Sequence, residues 1–266
     1  MPPPNVLLVG CGKMGGALLR RWQELQLYKD ICIVEPTPII TLAAKQVPDF
    51  ARIPATFKPT IIVMAVKPQV LPELTKQYKA YTDKGALVIS IAAGKPIAFF
   101  EKELGKKAAI VRSMPNTPAS IGKGITVATA NRNVSKLQKA KAAELLGAVG
   151  DILWVDSEKL LNPVTALSGS GPAYVFLLIE ALTEAGKKIG LEAKMAEKLA
   201  RQTVIGSAAL AEASPDVTAA KLREAVTSPG GTTAAALDVL RGSPGMQELF
   251  DKALKAATKR AEELSK

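Results

Sequence analysis

The stretch Asn5–Leu19, NVLLVGCGKMGGALL, decides the fold. It opens with the apolar run Val6–Val9, which is too short for a helix and whose branched side chains suit a buried strand. Gly10, Gly12 and Gly15 follow in G-x-G-x-x-G spacing, and an apolar helical pattern comes next. A strand, a glycine turn and a helix in this order predict a dinucleotide site, although a purely structural turn between strand and helix uses glycine in the same way.

Each glycine of the turn has its own mechanical reason. Gly10 allows the tight turn, Gly12 lets the backbone approach a pyrophosphate, and Gly15 lets the helix pack closely on the sheet. A Walker A loop is excluded, because Lys13 is followed by a methionine and not by a residue with a hydroxyl group. The predicted cofactor loop comprises Gly10, Cys11, Gly12, Lys13, Met14 and Gly15.

The composition is that of a globular protein. The 266 residues, 48% of them apolar, are enough for one large or two ordinary domains. The most apolar helical pattern is interrupted by Glu180 and Glu184, so we expect no membrane span. The first residues do not resemble a signal peptide, and we expect a cytoplasmic protein. Cys11 and Cys32 stand alone and are interpreted as small buried residues, without a disulfide or a metal.

The charge and the missing histidine narrow the possible functions. A net charge of +11 is compatible with nucleic-acid binding, but the lysines are scattered along helical patterns without interleaved aromatic residues. We therefore expect solvated faces and some attraction for anionic ligands, and no nucleic-acid partner. With no histidine in the chain, a histidine metal site and a Ser-His-Asp triad are excluded.

Apolar strands alternate with helices through the first half of the chain. This order predicts an α/β fold with a Rossmann-type, doubly wound, mostly parallel sheet. The predicted strands after the first are 31–35, 60–65, 86–91, 108–111, 124–130 and 152–155, with helices beginning at Gln69 and near Ser135.

From Asp156 onward the sequence predicts helices alone. They have wide apolar faces and few aromatic residues for a core of their own, so we expect this half to form a homodimer. The predicted domains are 1–156, which binds the dinucleotide, and 157–266, an all-helical substrate-binding and dimerisation domain. The predicted helices are 173–189, 193–212, 217–226, 232–241 and 247–264.

An acidic residue ends the second predicted strand. Glu35 follows Gly15 at about the 20-residue distance typical of a carboxylate that binds the adenosine ribose hydroxyls. The segment from Pro36 to Ala44 carries no Lys or Arg to bind a 2′-phosphate. We therefore expect NADH to be favoured over NADPH, unless Glu35 is only a solvated carboxylate at a strand end.

Three further segments follow predicted strands. Ligands of open α/β sheets bind beyond the carboxyl ends of the strands, so these segments are expected to line the cofactor crevice. Lys67 is either part of this site or a plain surface lysine, and Asn116 is expected to form a rigid wall near the nicotinamide. The expected lining residues are Ala65, Val66, Lys67, Pro68, Ala93 and Asn116.

Two stretches in the helical half combine glycines with hydroxyl residues just before a helix. They are 167–174, LSGSGPAY, and 226–233, VTSPGGTT. Such helix starts expose backbone N–H donors that suit a substrate carboxylate, although ordinary helix capping uses the same residues.

The motifs together resemble the pyrroline-5-carboxylate reductase family over nearly the whole chain. The matching pieces are GCGKMG (10–15), AVKPQ (65–69), SIAAG (90–94), RSMPNTP (112–118), SGSGPAYVF (168–176) and VTSPGGTT (226–233). The resemblance implies a hydride transfer from NADH or NADPH to the C=N carbon of 1-pyrroline-5-carboxylate, which gives L-proline in the last step of proline biosynthesis. It implies a helical domain that interlocks with that of a second subunit, and assemblies from homodimers upward.

The resemblance also implies which residues meet the substrate. Ser228, Gly230, Gly231, Thr232 and Thr233 would bind its carboxylate, and Thr233 would lie near the ring nitrogen as the catalytic residue. Many members of the family prefer NADPH, and Glu35 departs from that pattern.

Proteins of other functions share some of these sequence features. A β-hydroxyacid dehydrogenase resembles it in layout but carries a catalytic lysine on the first long helix of its second domain, where this chain has none before Lys187. A non-catalytic dinucleotide sensor and a basic nucleic-acid binder are possible from a different class. Neither explains two glycine-and-hydroxyl helix starts beside a dinucleotide loop.

Overall fold

The computed structural model describes residues 3–39 and 44–265. Within them a single sheet has the strand order β3-β2-β1-β4-β5-β6-β7-β8, parallel throughout except between β6 and β7. The strands are β1 (Asn5–Val9), β2 (Asp30–Val34), β3 (Lys45–Val47), β4 (Ile61–Met64), β5 (Leu87–Ser90), β6 (Ile110–Met114), β7 (Gly124–Ala130) and β8 (Gly150–Trp154).

Helices connect the strands and then make up the rest of the described chain. They are α1 (Lys13–Glu24), α2 (Leu71–Leu74), α3 (Lys79–Thr82), α4 (Ile97–Leu104), α5 (Lys136–Gly147), α6 (Leu161–Val164), α7 (Gly171–Lys188), α8 (Ala193–Glu212), α9 (Ala219–Ala225), α10 (Thr232–Arg241) and α11 (Met246–Leu264). Single 3₁₀ turns cover Phe50–Arg52, Thr75–Tyr78, Thr117–Ile121 and Glu158–Leu160, and Thr165–Gly169 is a π-helical turn.

Helices cover both faces of the sheet, so the predicted doubly wound α/β class is confirmed. On one face Trp22 of α1 is fully buried and its indole N–H donates to the carbonyl of Leu145 in α5, 2.7 Å away. On the other face Tyr78 and Phe100 fill the core beneath the strands. The predicted strands and long helices are present, whereas β3 was missed and the helix expected from Gln69 is broken into α2, a 3₁₀ turn and α3.

The chain forms two compact units, 1–169 with 257–266, and 170–256. The last residues belong with the sheet because the end of α11 packs there: Ala261 is buried, and the Ser265 hydroxyl donates to the side-chain oxygen of Asn162 at 3.4 Å. The contacts within one chain therefore place 157–169 and 257–266 with the sheet, whereas the sequence-based division assigned both segments to the helical domain.

The second unit, residues 170–256, buries little of its apolar surface. No residue of α7 is buried, and in α8 only Ala196 and Ala200 are. Phe176 and Leu177 of α7 are each 61% exposed. An apolar helix with this exposure needs a cover that one copy of the chain does not supply.

One stretch of the described chain, Glu158–Lys188, is long and apolar enough to cross a membrane by length and composition. It contains α7, and only 6% of its most apolar window is buried. A helix whose apolar faces pack against another subunit has the same composition, so this finding is compatible with the expected interface role of α7.

The glycine turn between β1 and α1 is packed against the end of β4. Gly10 has φ +89°, and a Cβ on it would lie 2.8 Å from the carbonyl oxygen of Ala65. A Cβ on Gly15 would lie 2.5 Å from the Gly10 carbonyl oxygen and 3.2 Å from the Ala65 Cβ. Only glycine at both positions lets α1 approach this closely.

We expect Gly15→Ala to lower the free energy of unfolding by about 1–3 kcal/mol, because the added methyl group must displace backbone. The matched control is Gly16→Ala in the same helix. A Cβ there would meet its nearest atom at 3.6 Å, so the stability should be unchanged or higher by up to about 1 kcal/mol. Urea unfolding of both variants measures the difference. Equal stabilities would contradict the close packing of α1.

Candidate functional site

The backbone N–H groups at the start of α1 are not capped by a side chain. Gly12 is the N-cap residue, it is exposed, and no side chain caps the helix. A Cβ on Gly12 would meet no atom within 4 Å, so open space lies over this backbone. Free N–H groups at the positive end of a helix dipole attract an anion, and the space over Gly12 admits one close to the chain.

The side chains of the glycine loop differ in how far they are exposed to solvent. Lys13 is exposed, whereas Met14 is half-buried and packs against the core. Burial, and secondarily the Glu35 carboxylate, raise the pKa of the Cys11 thiol, against an opposing effect of Arg20. Cys11 is therefore a neutral thiol at pH 7 and not an activated nucleophile.

Glu35 is bonded to the glycine loop. It directly follows β2 and is half-buried. One carboxylate oxygen accepts from the N–H of Cys11 at 2.9 Å, and the other accepts from the N–H of Thr37 at 3.1 Å. An ionised carboxylate has about four acceptor positions, so Glu35 retains acceptor capacity toward a ligand. The bond to Cys11 was not foreseen from the sequence, which held no signal for it.

The segment after β4 contacts the same loop. A Cβ on Gly10 would lie 2.7 Å from the Val66 side chain and 2.8 Å from the Ala65 carbonyl oxygen, which brings both residues against the turn. Pro68 is half-buried, and Lys67 is exposed. Ala93, beyond the end of β5, is exposed as well. These residues follow parallel strands whose carboxyl ends share one edge of the sheet.

Asn116 is bonded within the chain through both ends of its amide. Its oxygen accepts from the N–H of Ile125 at 2.9 Å, and its nitrogen donates to the carbonyl and hydroxyl oxygens of Ser168, each at 3.4 Å. Asn116 therefore ties the end of β6 to β7 and to the π-helical turn Thr165–Gly169. The sequence predicted a wall residue and missed these bonds, because they depend on how β6, β7 and the π-helical turn come together in the fold.

An ion pair between a buried arginine and a half-buried glutamate supports the same region. Arg112 of β6 is 5% exposed, and its guanidinium lies 2.7 Å from the Glu158 carboxylate. The same carboxylate oxygen accepts from the N–H of Ile97 at the start of α4, at 2.8 Å. Sequence reasoning did not single out this pair, although a charged residue within an apolar strand is a signal for one.

The turn before α10 is open in a similar way. Gly230 has φ +69° with open space over it, and Ser228 and Thr232 are exposed, whereas Thr233 is half-buried. Gly231 is the N-cap residue, and no side chain caps α10. The N–H of Gly231 donates to the Ser228 carbonyl at 3.0 Å, so it is engaged in the turn and is not one of the free donors that the sequence suggested.

Among residues 3–39 and 44–265, no group of three or more His, Cys, Asp or Glu side chains is placed to hold a metal ion. Cys11 and Cys32 are both free. The backbone donors at the two helix starts can bind an anionic ligand. The Glu35 carboxylate can accept hydrogen bonds, and the threonine hydroxyls of α10 can donate or accept them.

Comparisons with known proteins match this arrangement. Residues 158–264 match the family described as pyrroline-5-carboxylate reductase dimerisation, and residues 5–94 match the family described as NADP oxidoreductase coenzyme F420-dependent. A curated pyrroline-5-carboxylate reductase from Pseudomonas aeruginosa is 38% identical over 271 aligned positions, which cover 100% of this chain and 98% of the relative.

Solved structures agree with the sequence match. A pyrroline-5-carboxylate reductase from Coxiella burnetii superposes with a TM-score of 0.91 at 38% identity, over 99% of both chains. The Plasmodium falciparum pyrroline carboxylate reductase, solved with NADP bound, has a TM-score of 0.84 at 30% identity over 100% of both chains. The chain therefore belongs to the pyrroline-5-carboxylate reductase family.

Proposed function

We propose that this chain reduces 1-pyrroline-5-carboxylate to L-proline, the last step of proline biosynthesis, with NAD(P)H as the hydride donor. The observation that carries the proposal is the 38% identity to a curated reductase over the whole length of this chain. The site supports it, because both motifs that the reaction requires, the glycine loop and the open start of α10, are formed.

The dinucleotide binds at the open start of α1. The free N–H groups there receive the pyrophosphate, and the space over Gly12 admits it. When bound, a reduced nicotinamide supplies the hydride. The residues proposed to hold the dinucleotide are Gly10, Cys11, Gly12, Lys13, Met14, Gly15, Glu35, Ala65, Val66, Lys67, Pro68, Ala93 and Asn116.

NADH is the preferred cofactor in this proposal. The Glu35 carboxylate lies beside the glycine loop, where it accepts hydrogen bonds from ribose hydroxyls and repels a 2′-phosphate. In the described part of the following segment, Pro36–Ile39 and Ala44, no lysine or arginine offsets that repulsion. Residues 40–43, the rest of the segment without Lys or Arg, lie outside the described residues.

The substrate carboxylate binds at the start of α10. The backbone donors of this helix start attract it, with Ser228, Gly230, Gly231, Thr232 and Thr233 forming the site. The Thr233 hydroxyl acts at the ring nitrogen. It accepts a hydrogen bond from the protonated imine N–H and donates one to the lone pair that forms on nitrogen as the C=N bond is reduced. No histidine or metal is required for these steps.

The exposed apolar face of α7 is covered by a second subunit. The match of residues 158–264 to a dimerisation family supports a homodimer through the predicted helical domain 157–266, or a higher oligomer built from such dimers. Sedimentation velocity tests the assembly, and a monomer at micromolar concentration would contradict it. We place the enzyme in the cytoplasm, where unpaired cysteines such as Cys11 and Cys32 persist.

We expect Glu35→Ser to shift the cofactor preference toward NADPH. Removing a charge-assisted hydrogen bond costs about 1.5–3 kcal/mol, so the ratio of kcat/KM for NADH to that for NADPH should fall by about tenfold or more. Glu24→Ser removes the same charge from an exposed position at the end of α1 and should leave the ratio unchanged. Absorbance at the NADH band with each cofactor measures it. An unaltered ratio in Glu35→Ser would remove Glu35 from the ribose site.

Thr233→Ala should lower kcat by about 10- to 100-fold, because a hydrogen bond to a group whose charge changes is lost. The dissociation constant for NADH should stay nearly the same. Thr233→Ser keeps the hydroxyl and should retain most of the activity. Steady-state kinetics and NADH fluorescence titration give both quantities, and a comparable loss of NADH binding in Thr233→Ala would take Thr233 out of the substrate site.

A further inference from the structure

One side chain of β3 holds the main chain that follows β2. The Gln46 side-chain nitrogen donates to the carbonyl oxygens of Glu35 and Thr37, each at 2.7 Å. Its side-chain oxygen accepts from the N–H of Ile39 at 3.0 Å. All three partners are backbone groups of the short loop 35–39.

Only an amide side chain fits these three partners. The two carbonyl oxygens require a nitrogen with two hydrogens, and the N–H requires an oxygen on the same group, so the orientation of the Gln46 amide is fixed by its partners. Gln46 is half-buried, which limits replacement of these bonds by water. Glutamate, leucine or lysine at this position would leave at least one of the loop's backbone groups unpaired.

The edge strand brings Gln46 to this position. Gln46 pairs in register with Ile33, and the N–H of Glu35 donates to the carbonyl of the next residue, Val47, at 3.0 Å. The main chain of Glu35 is therefore held on both its N–H and its carbonyl by two consecutive residues of β3.

The position of the Glu35 main chain determines where the Glu35 carboxylate lies. The Glu35 carboxylate accepts a hydrogen bond from the N–H of Cys11 in the glycine loop and another from the N–H of Thr37. The bonds run without interruption from Gln46 through the backbone of 35–37 to the Glu35 carboxylate and the glycine loop. A displacement of the loop 35–39 would move the carboxylate relative to a ribose bound beside it.

We propose that Gln46 is a positioning residue for cofactor selection, which sets the choice between NADH and NADPH by fixing the backbone of Glu35 without contacting either cofactor. This inference rests on the proposed function, because only a bound adenosine ribose gives the position of the carboxylate a consequence. Gln46 acts on the adenosine end and leaves the hydride transfer itself unaltered.

The test is calorimetric binding of ADP-ribose and of its 2′-phosphate to the full chain. For Gln46→Leu we expect about tenfold weaker binding of ADP-ribose and little change with the 2′-phosphate, so that the ratio of the two affinities falls about tenfold. The kcat at saturating NADH should stay within about twofold of the wild-type value. Gln77→Leu is the matched control, since Gln77 is exposed and makes one long bond, 3.4 Å to the Glu73 carbonyl, and it should change neither affinity.

A second variant covers the case in which Gln46→Leu does not fold. Gln46→Glu has the same shape but sets a carboxylate oxygen against the carbonyls of Glu35 and Thr37. It should lower the ratio of the ADP-ribose affinity to the 2′-phosphate affinity at least as much as Gln46→Leu does. An unchanged affinity ratio in the variants that fold would overturn the role of Gln46. Failure of the proposed function is distinguishable, because wild-type protein would then bind ADP-ribose while leaving the imine unreduced.

Discussion

The close approach of α1 to the ends of β1 and β4 is the constraint on which the proposed dinucleotide site depends. Gly15 lies against the Gly10 carbonyl, and Gly10 lies against Ala65 and Val66, with no room for a Cβ at either glycine. The same packing brings the uncapped start of α1 to the carboxyl edge of a parallel sheet. A helix start that can attract an anion therefore results from steric fit.

Hydrogen bonds from side chains to the main chain connect the loops at the ends of the strands. Glu35 accepts from the Cys11 N–H, so the residue that we propose to select the cofactor also holds the glycine loop. On the other side, Asn116 joins the end of β6 to the π-helical turn that leads to α7.

The sequence predicted the parts of the site that have local signals. The glycine spacing predicted the turn, and the apolar strands that alternate with helices predicted the sheet. The prediction that Glu35 lies at the end of a strand was also correct. The bonds of Asn116 and Gln46 were not predictable, since each joins segments whose proximity depends on the tertiary fold. The strand β3 was missed because its three residues, Lys45–Val47, show no apolar alternation.

The proposed reaction is a direct hydride transfer from the dinucleotide to the C=N carbon of 1-pyrroline-5-carboxylate. The most direct measurement uses NADH carrying deuterium at both C4 positions of its nicotinamide and analyses the proline by mass spectrometry. We expect one deuterium per proline, bound to the carbon of the former C=N bond, even in ordinary water. Proline without deuterium, or NADH oxidation that does not depend on the imine, would contradict it.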